Sequence, residues 1–230
     1  MLTPTPFFAP DFFATDDVTL PRLQKFTVDV ITRLTQDNPG GVFTALAADL
    51  QAAHDDLFGA VARADQGTSA RRTAAQLMWG AIHDAQHQLE ADEDLLEYKA
   101  KKTPAIHADF FPNGRQEYGR ATLLTAELLL SRLATAAATH ATVLGTDFDA
   151  TLYAGYLQAF LDGRDGTGQG DEQTAKSRAA AQGHRTALTL RLTDAVKLVA
   201  AQWLRDEARA AAYFRMSLLQ APATATPKKP

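Results

Sequence analysis

His83 and His87, with Glu90 three residues further on, are the most chemically suggestive side chains of the sequence. Imidazoles four residues apart share one side of a helix, and a nearby carboxylate completes a set that could hold Zn or Fe. The phase of the neighbouring residues opposes a buried site. Met78, Ile82, Ala85, Leu89 and Leu96 form one apolar stripe at about 100° per residue, and His83, His87 and Glu90 lie about 120–180° from its centre. The expectation is a solvated polar face, with these three residues as the metal set if the chain binds one. A ferritin-like dimetal bundle would also need Glu-x-x-His pairs, whereas the nearest approach is Asp84-x-x-His87.

Glu127 suggests a different chemistry. It sits among Leu123, Leu124, Leu128, Leu129, Leu130 and Leu133, in a segment apolar around most of its circumference, and such a helix is usually central. A carboxylate buried there must be paired, hydrogen-bonded or protonated, because desolvating the charge is costly. Asp29 is its counterpart in the first half, and His184 falls on the same side of its helix as Leu188, Leu192, Ala195 and Val199. Glu127, His184 and Asp29 are therefore the candidate ligand-binding groups of an internal site, each with an internal ion pair or hydrogen bond as the structural alternative.

Several function classes lose support. The chain of 230 residues contains no cysteine, which removes thiolate nucleophiles, disulfides and thiolate metal sites. A net charge of −4 without a basic face argues against nucleic acid as a partner. No apolar run reaches the roughly 18–20 residues of a membrane span, and the N-terminus lacks the features of a secretory signal, so a soluble cytoplasmic protein is expected. The stretch Gly163–Gly170 precedes a helix but lacks the Gly-Lys-Ser/Thr ending of a phosphate loop, and it reads as a flexible connector. No Gly-x-Ser-x-Gly elbow is present. Trp79 and Trp203 are expected in the core.

The elements that would position these residues are helices. Thr19 is a plausible N-cap with Pro21 in the first turn, and Asn38-Pro39-Gly40-Gly41 is a stop, which predicts a first helix over about 19–37. Further helices are expected over about 42–64, 69–102, 115–144, 148–161 and 171–212, the second ended by Asp65-Gln66-Gly67. Asp11-Phe12-Phe13, Asp109-Phe110-Phe111 and Ala212-Tyr213-Phe214 punctuate the chain about 100 residues apart. Leu50-Gln51-Ala52 recurs as Leu157-Gln158-Ala159, and Ala74-Ala75-Gln76 as Ala180-Ala181-Gln182. The shared order and near-constant offset predict an internal duplication.

The expected fold is all-α: a six-helix bundle from two similar three-helix units. Its parts are an N-terminal arm (1–16), helical unit 1 (17–107), helical unit 2 (108–219) packed with it, and a loose tail (220–230). The arm carries Phe7, Phe8, Phe12 and Phe13, large apolar side chains expected to pack on the body or on another chain. The leading functional expectation is a non-enzymatic scaffold or protein-interaction protein whose partner is another protein or itself, with no cofactor. The alternative is a small-ligand- or metal-binding bundle.

Overall fold

The computed structural model describes Phe13, Thr15 and residues 18–220. The described residues contain no strand, and the chain is all-α. Its helices are α1 (Leu20–Gln36), α2 (Thr44–Ala91), α3 (Glu93–Ala100), α4 (Ala105–Phe110), α5 (Gln116–Gly119), α6 (Leu123–Leu144), α7 (Ala150–Gln202) and α8 (Glu207–Ala212). None of these helices is long and apolar enough to cross a membrane. Thr19 occupies the N-cap position of α1 with Pro21 in its first turn, and the chain leaves the helix at Asp37 before Gly40 and Gly41 turn it at positive φ.

Two expected interruptions are absent. Asp65-Gln66-Gly67 lies inside α2, a single helix of 48 residues, and Gly163–Gly170 lies inside α7, a single helix of 53 residues. The glycine-rich stretch is therefore not a connector. Gly67 of α2 and Gly163, Gly166 and Gly170 of α7 line a seam where the two backbones nearly touch. A Cβ on Gly163 would stand 2.9 Å from the Ala74 carbonyl oxygen, and one on Gly170 would stand 2.9 Å from that of Gly67. Each glycine weakens an isolated helix by about 1 kcal/mol, but here the missing side chains admit a close backbone contact that alanine would obstruct. Tertiary packing overrides local propensity.

The remaining boundaries shift for simpler reasons. The helix expected over 69–102 breaks at Asp92, with α3 following, and the one expected over 115–144 divides into α5 and α6 around Arg120–Thr122. The Thr122 side chain and the Thr125 side chain cap each other's backbone amides, which fixes the start of α6. The last long helix stops at Gln202, and Asp206 caps α8 by accepting from the Arg209 amide at 3.0 Å.

Contacts divide the chain into two compact units whose limits fall inside the two long helices. One unit joins the described residues up to Ala64 with those from Ala175 onward, and the other is Asp65–Thr174. In the first unit, Leu23, Phe26, Val30 and Leu34 of α1 pack with Leu50 and Leu57 of α2 and with Leu188, Leu192 and Val199 of α7. Phe13 is 1% exposed in this core, its ring 5.6 Å from Phe26. Of the two placements expected for the arm's phenylalanines, Phe13 takes the first and fills its own unit. Phe7, Phe8 and Phe12 lie outside the described residues, as does the expected tail from Ala221 onward. Tyr213 and Phe214 close the same core. There the Arg209 guanidinium covers the Trp203 ring at 3.7 Å and pairs with Asp37 at 3.0 Å, and the Tyr213 hydroxyl donates to the Asp37 carbonyl at 2.8 Å.

In the second unit the buried face of α6 meets the later part of α2, the early part of α7, and α3 and α4. Phe110 and Phe111 belong to this core, with Phe110 packed edge-on against Phe148 at 6.1 Å and Tyr153 at 6.3 Å.

Candidate interaction surface

α6 has 22 residues and only three ionisable side chains, Glu127, Arg132 and His140. One face turns inward through Ala126, Leu129, Leu130, Leu133, Ala136, Ala137, His140 and Leu144. The other face meets no part of the described chain that covers it. Leu124 is 96% exposed and Leu128 64%, and Ser131, Thr135, Ala138 and Thr142 continue the exposed line along the helix. The hydroxyls of Thr135 and Thr139 donate to the carbonyls of Ser131 and Thr135, each at 2.8 Å. Those two hydroxyl donors are thus engaged within the helix, and the exposed line combines Leu124, Leu128 and Ala138 with the small, uncharged Ser131, Thr135 and Thr142. An open groove of 430 Å³ runs beside it, lined by Asp109, Leu128, Ser131, Arg132, Thr135, Ala136 and Thr139.

The charged groups at its margins are all held. Arg132 donates to Glu117 at 2.7 Å, and Asn113 donates to the same carboxylate at 3.1 Å. Burial works to raise the Glu117 pKa, but these hydrogen bonds, led by Arg132, outweigh it and hold the group below its ordinary 4.5. Tyr118, next in sequence, is pushed up to about 12 by burial and by the Glu117 charge. His140 is buried and bonds through Nε2 to Asp109 at 2.7 Å, which ties α6 to α4. Arg164 of α7 pairs with Glu127.

Glu127 is accordingly an exposed residue, correcting its expected place in the core. Leucines surround α6 on nearly every side, but only one arc of them is buried, and Glu127 lies outside that arc. Asp29 is partly buried and pairs with Arg33 at 2.8 Å and Arg215 at 3.4 Å. His184 is partly buried on α7. Asp29 and His184 belong to one unit and Glu127 to the other, and the interactions above engage Glu127 and Asp29 with different arginines.

His83, His87 and Glu90 are exposed, as the phase of their helix requires. His87 Nδ1 stands 3.7 Å from Glu90, while His83 contacts Gln86 at 3.3 Å and stacks beside Trp79. Among the described residues no group of three or more His, Asp or Glu side chains is arranged to hold a metal. Trp79 is 41% exposed rather than a core residue, whereas Trp203 packs against the first unit's core.

Sequence reasoning missed the buried carboxylate. Asp92 is 8% exposed and accepts from the Tyr153 hydroxyl at 2.7 Å and from Gln88 at 3.1 Å. Burial, reinforced by this bond, pushes the Tyr153 pKa upward. In sequence Asp92-Glu93-Asp94 looks like a solvated charge run, and nothing local distinguishes its first member. These contacts brace α2, α3 and α7 against one another.

The chain matches no family model, no curated protein and no solved structure among those with which it was compared.

Proposed function

We propose that this chain is a non-enzymatic helical protein that acts by binding another protein or a second copy of itself, and that the outer face of α6 is its binding surface. The observation that carries this is the exposure of Leu124 and Leu128 at the head of an uncharged helix face with a groove beside it. Single exposed apolar residues are ordinary, but two leucines one turn apart, continued by small uncharged residues along the same helix, are a feature of surfaces that meet a partner. The charged residues nearby are engaged with one another, which suits a binding surface better than a reaction centre.

We also propose that the architecture arose by duplication. In support, a helix of 17 residues, one of 48 and one of 8 are followed later by helices of 22, 53 and 6 in the same order. Superposing Leu20–Ala100 on 123–212 tests this, and opposed helix directions would end it.

The functional proposal is tested by placing a photo-crosslinking residue at Leu124 or Thr135 in the full chain within its native cells, with Leu152 of α7 as control. Capture of a polypeptide from the α6 positions and not from the control is expected. Equal capture, or none, contradicts the proposal.

A further inference from the structure

We infer that the polypeptide seated on α6 is a second copy of this chain, and that two α6 helices pair antiparallel about a twofold axis that passes between Ser131 and Thr135 of their outer faces. The inference rests on the binding face proposed above and names its occupant.

The exposed line Leu124, Leu128, Ser131, Thr135, Ala138 and Thr142 advances by four, three, four, three and four residues, the spacing of a helix–helix seam. Read from either end the intervals are the same. Antiparallel pairing therefore sets Leu124 against Thr142 of the second copy, Leu128 against Ala138, and Ser131 against Thr135. In the four outer layers each leucine meets a small residue, and the two central layers, Ser131 against Thr135, hold only small side chains, so the helices come closest at the middle of the pair. Parallel pairing would crowd leucine on leucine at one end and leave small side chains facing each other at the other. A twofold axis also makes the face self-complementary, as the commonest dimers require.

The chemistry of the face narrows the occupant further. None of the six residues is ionisable, so pairing desolvates no charge within the stripe. A lipid surface fits poorly, because interfacial helices carry Lys or Arg on the flank of the apolar face. α6 has no Lys, and its one Arg, Arg132, is held by Glu117. The size of the face sets the strength. A 22-residue helix is about 33 Å long and roughly 10 Å wide, a footprint below the ~800 Å² per partner of a standard interface. The pair should be a weak one, with a dissociation constant of about 10–1,000 µM.

The chain has no cysteine, so introduced thiols report pairing without background. Full-length Leu124→Cys and Thr142→Cys are mixed in equal amounts at high concentration and oxidised. Both positions are exposed, and circular dichroism checks that each variant folds. The mixture should yield a crosslinked dimer containing one of each. Leu124→Cys alone should not crosslink, because the two thiols would lie about 27 Å apart along the axis, well beyond disulfide reach. Crosslinking by Leu124→Cys alone would overturn the antiparallel arrangement, and an uncrosslinked mixture would overturn self-pairing. If the mixture fails while photo-crosslinking at Leu124 captures a different protein, the binding face stands and only its occupant is wrong. If both fail, the binding face falls as well.

Discussion

The glycine seam between α2 and α7 and the outer face of α6 are both helix surfaces made of small or uncharged residues, and they differ in what meets them. At the seam, the space a side chain would take is occupied by another backbone, with an Ala74 oxygen 2.9 Å from where a Gly163 Cβ would stand. On α6, Leu124 stands 96% exposed. The contrast teaches that composition alone does not say whether a helix surface is filled. Only the neighbouring backbone decides.

The sharpest way to break this comparison is to add methyl groups to the seam. Gly163→Ala and Gly170→Ala together should destabilise the chain by about 2–4 kcal/mol, overpacking at two sites outweighing the gain in helix propensity, as read from urea midpoints. A smaller loss, about 1–3 kcal/mol, is expected from Tyr153→Phe, which removes the hydroxyl serving the buried Asp92. Calorimetry of that variant checks it. Glycines with open surroundings should behave oppositely. Gly155 and Gly183 lie on the same α7 with nothing within 4 Å of an added Cβ, and alanine at either should stabilise by about 0.5–1 kcal/mol. A loss at Gly183 equal to that at Gly163 would erase the distinction between seam and open helix. On α6, Leu124→Asp with Leu128→Asp should leave the monomer's stability within about 0.5 kcal/mol, since both side chains are exposed.

Acid sharpens the comparison at the groove edge. The Glu117 pKa is held below 4.5, so its pairing with Arg132 stabilises the fold fully above about pH 4.5 and loses that effect as pH falls through the lowered value. Glu117→Gln should therefore be less stable than wild type near pH 7, and the two should converge in strong acid when urea midpoints are followed against pH.

Much of the helical content is legible in sequence because the apolar stripes are strong. Thr19 and Pro21 mark the start of α1, and Met78, Ile82, Ala85 and Leu89 mark the buried side of α2, which in turn sets His83 and His87 in solvent. The seam is illegible for a physical reason. Gly163–Gly170 has the composition of a loop, and its helical state depends on a partner backbone distant in sequence. Glu127 is misplaced because the hydrophobicity of α6 nearly surrounds it, so periodicity cannot choose between the arc that is buried and the arc that is bare. Asp92 is hidden within a charge run, since only the approach of Tyr153, 61 residues away, makes it an internal acceptor. The outer face of α6 was present in the same leucine-rich pattern, but a leucine facing the core and one facing a partner look alike until neighbours are known.

Sedimentation velocity of the full chain from about 1 µM to about 1,000 µM tests self-recognition by α6 most directly. The wild-type weight-average coefficient should rise from that of a monomer toward that of a dimer across this range. The variant carrying Leu124→Asp and Leu128→Asp should remain monomeric throughout. A wild-type chain that stays monomeric at the highest concentration, or a variant that dimerises equally well, would contradict the account.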